Sequence, residues 1–157
     1  MDIIGTPAIR PSLFYSGKIT GYGLWLAFVI SFVRKLGSVR NTTPAITWIS
    51  IALFSLGVLI CIASISALGK STRLGLPTEG GVLKTKGLYS VSRNPIYIGF
   101  HVMTTASLMG FRHWYLVFPG IYTFAVYHLI ILGEERYLTQ VHGTAYLDYR
   151  EQVRRYL

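Results

Sequence analysis

Two short runs hold residue types that chemistry uses. The first is Arg93-Asn94-Pro95-Ile96-Tyr97, and the second is the adjacent acid pair Glu134-Glu135 at the end of a long apolar run. Proline suits the first position of a helix, where its missing N–H has no intrahelical partner anyway, and asparagine suits the cap before it. A helix start with a guanidinium beside it is a ready site for a carboxylate or phosphate. A lipid headgroup is the plainer partner for Arg93. Two acids at the C-terminal end of a helix oppose its dipole, unless a new helix begins at them. They call for a cation, which could be Arg93, Arg136 or a cationic ligand; an internal salt bridge is the plainer reading.

Other reactive types are sparse. His101 follows Tyr97 by one helical turn, and His128 precedes Glu135 by two. Isolated histidines in separate helices make no metal-ligand spacing, and the single cysteine, Cys61, excludes an intrachain disulfide and a cysteine metal site. No metal is expected. Glycine-rich dinucleotide, P-loop and G-x-S-x-G motifs are absent.

The elements that position these residues follow from composition. Of 157 residues, 52% are hydrophobic and 13% charged, and the mean hydropathy is +0.47. Soluble domains carry about 25% charge, so a water-soluble domain is excluded, as is disorder. Spans of about 20 apolar residues are read at 45–68 and 114–133, with a shorter one at 95–111 and a first at 13–33. The first contains Lys18, which a helix of this kind can snorkel to the interface. Arg34-Lys35 follow directly and no small-residue cleavage site appears, so this helix is expected to be retained. Arg112-His113 are too short a link for anything but an antiparallel hairpin. The expected fold is all-α and integral to the membrane. It has about four transmembrane helices plus a C-terminal amphipathic helix, in one domain over 1–157.

Between the spans lie a turn-rich loop at 69–94, containing "GGVLKTKGLY", and the tail 134–157. In the tail Leu138, Val141, Ala145, Tyr149, Val153 and Tyr156 recur at helical spacing, with a possible break at Gly143. The excess of 15 Lys and Arg over 6 Asp and Glu suits loops on the cytoplasmic side rather than nucleic acid. With the N-terminus inside, the inner segments hold Arg10, Lys70, Arg73, Lys84, Lys86, Arg93, Arg136, Arg150, Arg154 and Arg155. The outer ones hold Arg34, Lys35, Arg40 and Arg112. Both termini are therefore expected to be cytoplasmic.

Together, "GLYSVSRNPIYIGF" and "EERYLTQVHGTAYLDYREQVRRY" resemble the isoprenylcysteine carboxyl methyltransferase and phospholipid methyltransferase superfamily. The pattern is G-x-Y then R-[HN]-P-x-Y-x-G, here Gly87, Tyr89, Arg93, Asn94, Pro95, Tyr97 and Gly99. After the next helix comes an E-E-led tail, here Glu134, Glu135, Leu138, Gly143, Tyr146, Tyr149, Val153 and Arg155. The likeness covers about half the chain, and two linked motifs in the right order make it specific.

The resemblance implies a methyltransferase using S-adenosylmethionine, with the cofactor site on the cytoplasmic face. Carried over by position, the cofactor contacts are Gly81, Val82, Leu83 and Lys84 in the loop. Tyr89, Arg93, Asn94, Pro95, Ile96, Tyr97, Glu134 and Glu135 complete them. A protonated amine acceptor would need a general base, for which Glu135 and His101 are the candidates; a carboxylate or thiolate would not. His142 departs from the usual aromatic residue, and no proline follows in the tail. The arginine that meets the substrate carboxylate in prenylcysteine enzymes is replaced by the apolar Ile130-Ile131, which shifts the expected acceptor toward a lipid or another lipophilic or small molecule. The expected partners are the bilayer and this acceptor, with no nucleic acid and no obligate protein partner. The alternatives are an NADPH-dependent membrane reductase, since sterol reductases share a related R-H-P-N-Y-L-G motif, and a non-enzymatic membrane protein.

Overall fold

The computed structural model describes residues 6–36, 45–69 and 82–157. Among the described residues five α-helices follow one another: α1 Pro11–Leu36, α2 Ala45–Leu68, α3 Pro95–Phe111, α4 Val117–His142 and α5 Thr144–Gln152. Two 3-10 turns, Gly87–Ser90 and Trp114–Leu116, precede α3 and α4. Among the described residues, three segments of 18 residues or more are long and apolar enough to cross a membrane: Pro11–Arg34, Ala45–Leu68 and Trp114–His142. The chain is an all-α integral membrane protein. α3 is the fourth apolar helix read from the sequence; its 17 residues reach about 25 Å at about 1.5 Å per residue, at the short end of what spans a hydrocarbon core.

α2 and α3 make the most extensive helix contact. The side of α2 turned inward carries Thr47, Ser50, Gly57, Cys61 and Ser64. Residues this small let backbones approach, and dispersion then drives association where lipid offers no hydrophobic gain. Gly57 and Gly99 sit at the closest point. A Cβ on Gly99 would lie 2.4 Å from the Cys61 Sγ and 2.8 Å from the Gly57 carbonyl oxygen. The serine hydroxyls are satisfied within the helix, Ser50 donating to the Ile46 carbonyl and Ser64 to that of Ile60.

α1 lies along α4, with Gly17 against Val126 and Gly21 against Tyr127. It reaches α3 through the Trp25 indole N–H, which donates to the Thr104 hydroxyl at 3.1 Å. Tyr22, Trp25, Tyr97, Phe100 and Tyr127 form an aromatic seam where α1, α3 and α4 meet.

The tail departs from the expected helix over 134–157. α4 runs unbroken through Glu134-Glu135 to His142, so no new helix begins at the acids. The break falls at Gly143, whose φ of 54° and ψ of −127° suit a residue without a Cβ. α5 turns its inner side with Tyr146 and Tyr149, while Ala145 is exposed. Ala8 lies against Gly133, and Arg154 against Arg93. The N-terminal segment, the start of α3 and the tail thus share one end of the bundle.

Candidate active site

The shared end is organised around the carboxylate of Glu135. It is buried (7% exposed) and accepts from both Arg155 Nε and Nη2, at 2.9–3.2 Å. The Asn94 side-chain amide donates to its Oε1 at 3.1 Å, and Arg93 Nη2 lies 3.3 Å from the same oxygen. The Arg93 side chain is only 7% exposed, and its Nε and Nη1 find no hydrogen-bond partner among the described residues. Hydrogen bonding to Glu135 holds the Arg155 guanidinium above its ordinary value.

Backbone bonds extend the clasp. The Arg93 N–H donates to the Arg154 carbonyl at 3.0 Å, and the Ser92 hydroxyl and Asn94 amide both donate to the Arg155 carbonyl. Tyr149 donates to the Tyr89 carbonyl, tying α5 to the turn before α3. Burial pushes the Tyr149 phenol up to about 12. Tyr156 and His128 Nδ1 meet at 2.7 Å. The last residues of the chain therefore form one wall around the start of α3.

Glu134 behaves differently from its neighbour. It makes no salt bridge among the described residues, and its one hydrogen bond there comes from the Tyr97 hydroxyl, at 2.7 Å. Consecutive helical residues point about 100° apart, so one acid turns into the clasp and the other toward Tyr97. Tyr89 and Lys18 are both near enough to interact electrostatically with Glu134.

The structure thus brings together Tyr89, Arg93, Asn94, Pro95, Ile96, Tyr97, Glu134 and Glu135. Val82, Leu83 and Lys84 are described as extended chain with Val82 exposed, whereas Gly81 lies outside the described residues. Asn94 takes the cap position without a side-chain cap bond, because its amide serves Glu135 and Arg155. The start of α3 is not an open anion site. Pro95 has no N–H, the Tyr97 and Ile98 amides return to the Asn94 carbonyl, and Arg93 is turned inward. Arg136 is not the cation for the acids; its Nε donates to the Leu132 carbonyl.

His101 lies one turn further into α3, packed on Phe124, Tyr127 and Tyr156, with its Nδ1 buried and unpartnered among the described residues. Lys18 does not snorkel outward. It is 8% exposed, with its ammonium 4.5 Å from the Phe14 ring centroid. Sequence reasoning missed Arg155, Ser92 and Lys18 as members of this constellation. Arg155 was visible only as a motif position, and nothing in the sequence paired it with Glu135.

A family model described as phospholipid methyltransferase matches residues 45–145, which include α2, α3, α4 and both acids. No curated protein matches the chain. No solved structure matches it either.

Proposed function

The chain belongs to the phospholipid methyltransferase family, and from that premise we propose that it transfers a methyl group from S-adenosylmethionine to a lipid acceptor at the cytoplasmic face of the membrane. The observation that carries this reading is the Glu134 carboxylate, held by Tyr97 and left without an ion pair among the described residues. Such an acid at a bilayer boundary has spare capacity for a cation or for hydroxyl donors. An ammonium-bearing, sulfonium-bearing nucleoside offers both.

The residues present fit that group unequally. Glu134 would hold its ammonium or ribose hydroxyls, with Tyr89 and Tyr97 offering aromatic faces to a sulfonium. Arg93, Asn94 and Glu135 are committed to one another, so their proposed part is to build the wall that sets Tyr97 and Glu134 in place. When bound, S-adenosylmethionine supplies an activated methyl group for in-line displacement. What the protein adds is positioning and exclusion of water. Tyr97 fixes the orientation of Glu134 through its hydroxyl, and the clasp fixes the entry of α3 that carries Tyr97. Glu135 has no free lone-pair direction for a proton, since four donors surround it. For an amine acceptor the proposed base is His101, which keeps an unpartnered ring nitrogen.

The test is transfer of label from methyl-tritiated S-adenosylmethionine to membrane lipid by the purified protein, with the product identified by mass spectrometry. Label in a lipid fraction is expected. Thermal stabilisation by NADPH, without any by S-adenosylhomocysteine, would overturn the reading.

A further inference from the structure

Lys18 is a cation that the clasp does not use. It lies on α1, before the family-matched region begins at residue 45, so none of the motif residues implies a role for it. Its side chain is more than nine-tenths buried, and among the described residues it makes no hydrogen bond and no salt bridge. Its ammonium lies over the ring of Phe14, 4.5 Å from the centroid. Arg93 and Arg155 both have Glu135 as a counter-ion. Lys18 differs from them in having no carboxylate within 4 Å among the described residues.

A lone lysine in an apolar helix bundle is costly to keep and marks a functional position by default. Its depth is informative. Lys18 lies seven residues beyond Pro11, the first residue of α1, which puts it about 10 Å along the axis, nearer the start of the helix than its middle. It faces Glu134 closely enough for their charges to interact, yet they form no ion pair within 4 Å. A buried base and a half-buried acid that face each other without pairing could both be met by one ligand group. Tyr22, one turn along α1, is exposed on its outer side, so the bilayer reaches this part of the seam.

We propose that Lys18 is a specificity-determining residue that binds the phosphate of the phospholipid acceptor, holding the headgroup beside the Tyr97–Glu134 pair. The inference rests on the reading of the acceptor as a lipid. A phosphate is the right chemistry for it. A compact ammonium with three donors is satisfied by phosphate oxygens from almost any direction. This anchoring uses α1 to place the acceptor, whereas α3 and α4 place the methyl donor.

The test compares wild type, Lys18→Met and Lys18→Arg in detergent. Binding is read by thermal shift and tryptophan quenching, with four probes: dihexanoyl phosphatidylethanolamine, dihexanoylglycerol, inorganic phosphate and S-adenosylhomocysteine. Lys18→Met is expected to weaken phospholipid binding about ten-fold or more, as for loss of a charge-assisted hydrogen bond. Lys18→Arg should retain most of it. Dihexanoylglycerol and S-adenosylhomocysteine should bind all three proteins alike, which also reports that Lys18→Met is folded. Equal phospholipid binding by wild type and Lys18→Met would overturn the proposal. So would inorganic phosphate binding as tightly as the lipid, or loss of S-adenosylhomocysteine in Lys18→Met, which would give Lys18 to the cofactor. Wild type that binds phospholipid through Lys18 but no S-adenosylhomocysteine would sink the cofactor reading and leave this one standing.

Discussion

Removing the carboxylate of Glu135 is expected to destabilise the fold strongly. Glu135 is the anion for two guanidiniums, and they differ in surroundings. Arg93 is buried to the same degree as Glu135, so its charge has no water to fall back on. Breaking a buried pair from one side costs about 3–5 kcal/mol, because the remaining charge is left uncompensated. Arg155 is 34% exposed and partly solvated, so its share is discounted to about 1 kcal/mol or less. The expected loss for Glu135→Leu is therefore about 3–5 kcal/mol, mostly from stranding Arg93. The paired change Arg93→Met with Glu135→Leu should recover at least about 1 kcal/mol of that, since two apolar side chains leave no buried charge. The assay is unfolding in mixed micelles by rising dodecyl sulfate fraction, followed by tryptophan fluorescence. A Glu135→Leu protein within about 1 kcal/mol of wild type would refute the reasoning. So would a double variant whose loss equals the sum of the two single losses, because then no coupling exists.

The other predictions concern the cofactor face, the helix contact and the tail. Glu134→Ala should abolish measurable binding of S-adenosylhomocysteine while the protein still inserts and folds, and Tyr97→Phe should weaken it about ten-fold, as loss of a hydrogen bond to a charge does; isothermal titration in detergent reads both. Gly99→Val should block folding, because even a Cβ there would lie 2.4 Å from the Cys61 Sγ. Gly23→Ala, where nothing lies within 4 Å of the added Cβ, should be neutral or stabilising; thermal melts compare the two. Ending the chain after Gln152 removes the Arg154 and Arg155 carbonyls that accept from Arg93, Ser92 and Asn94. Amide exchange at Arg93 should then accelerate relative to that in α2.

Much of the architecture was legible from apolar runs. The bounds of α2 and α3 agree with those read from the sequence, because α2 coincides with a charge-free apolar run and α3 begins at Asn94-Pro95 and ends where its apolar run does. The tail was less legible. Glu134-Glu135 looked like a helix junction, because acids sit poorly at a helix end. In the structure α4 continues through them, since the charge of Glu135 is met from across the bundle and Glu134 accepts from the Tyr97 hydroxyl. Lys18 looked like a snorkelling side chain. That reading needs a helix facing lipid at residue 18, and α1 instead turns this position inward.

The sequence alone determined that this is a helical membrane protein and that it carries the motifs of a methyltransferase family. Both are local properties, set by composition, run length and residue spacing. Which of two adjacent acids is structural and which is available for a ligand was decided by tertiary structure. About 100° of rotation separates them on α4, and only packing says what each direction meets. For Glu135 it meets Arg93 and Arg155, residues 42 and 20 positions away. For Glu134 it meets Tyr97.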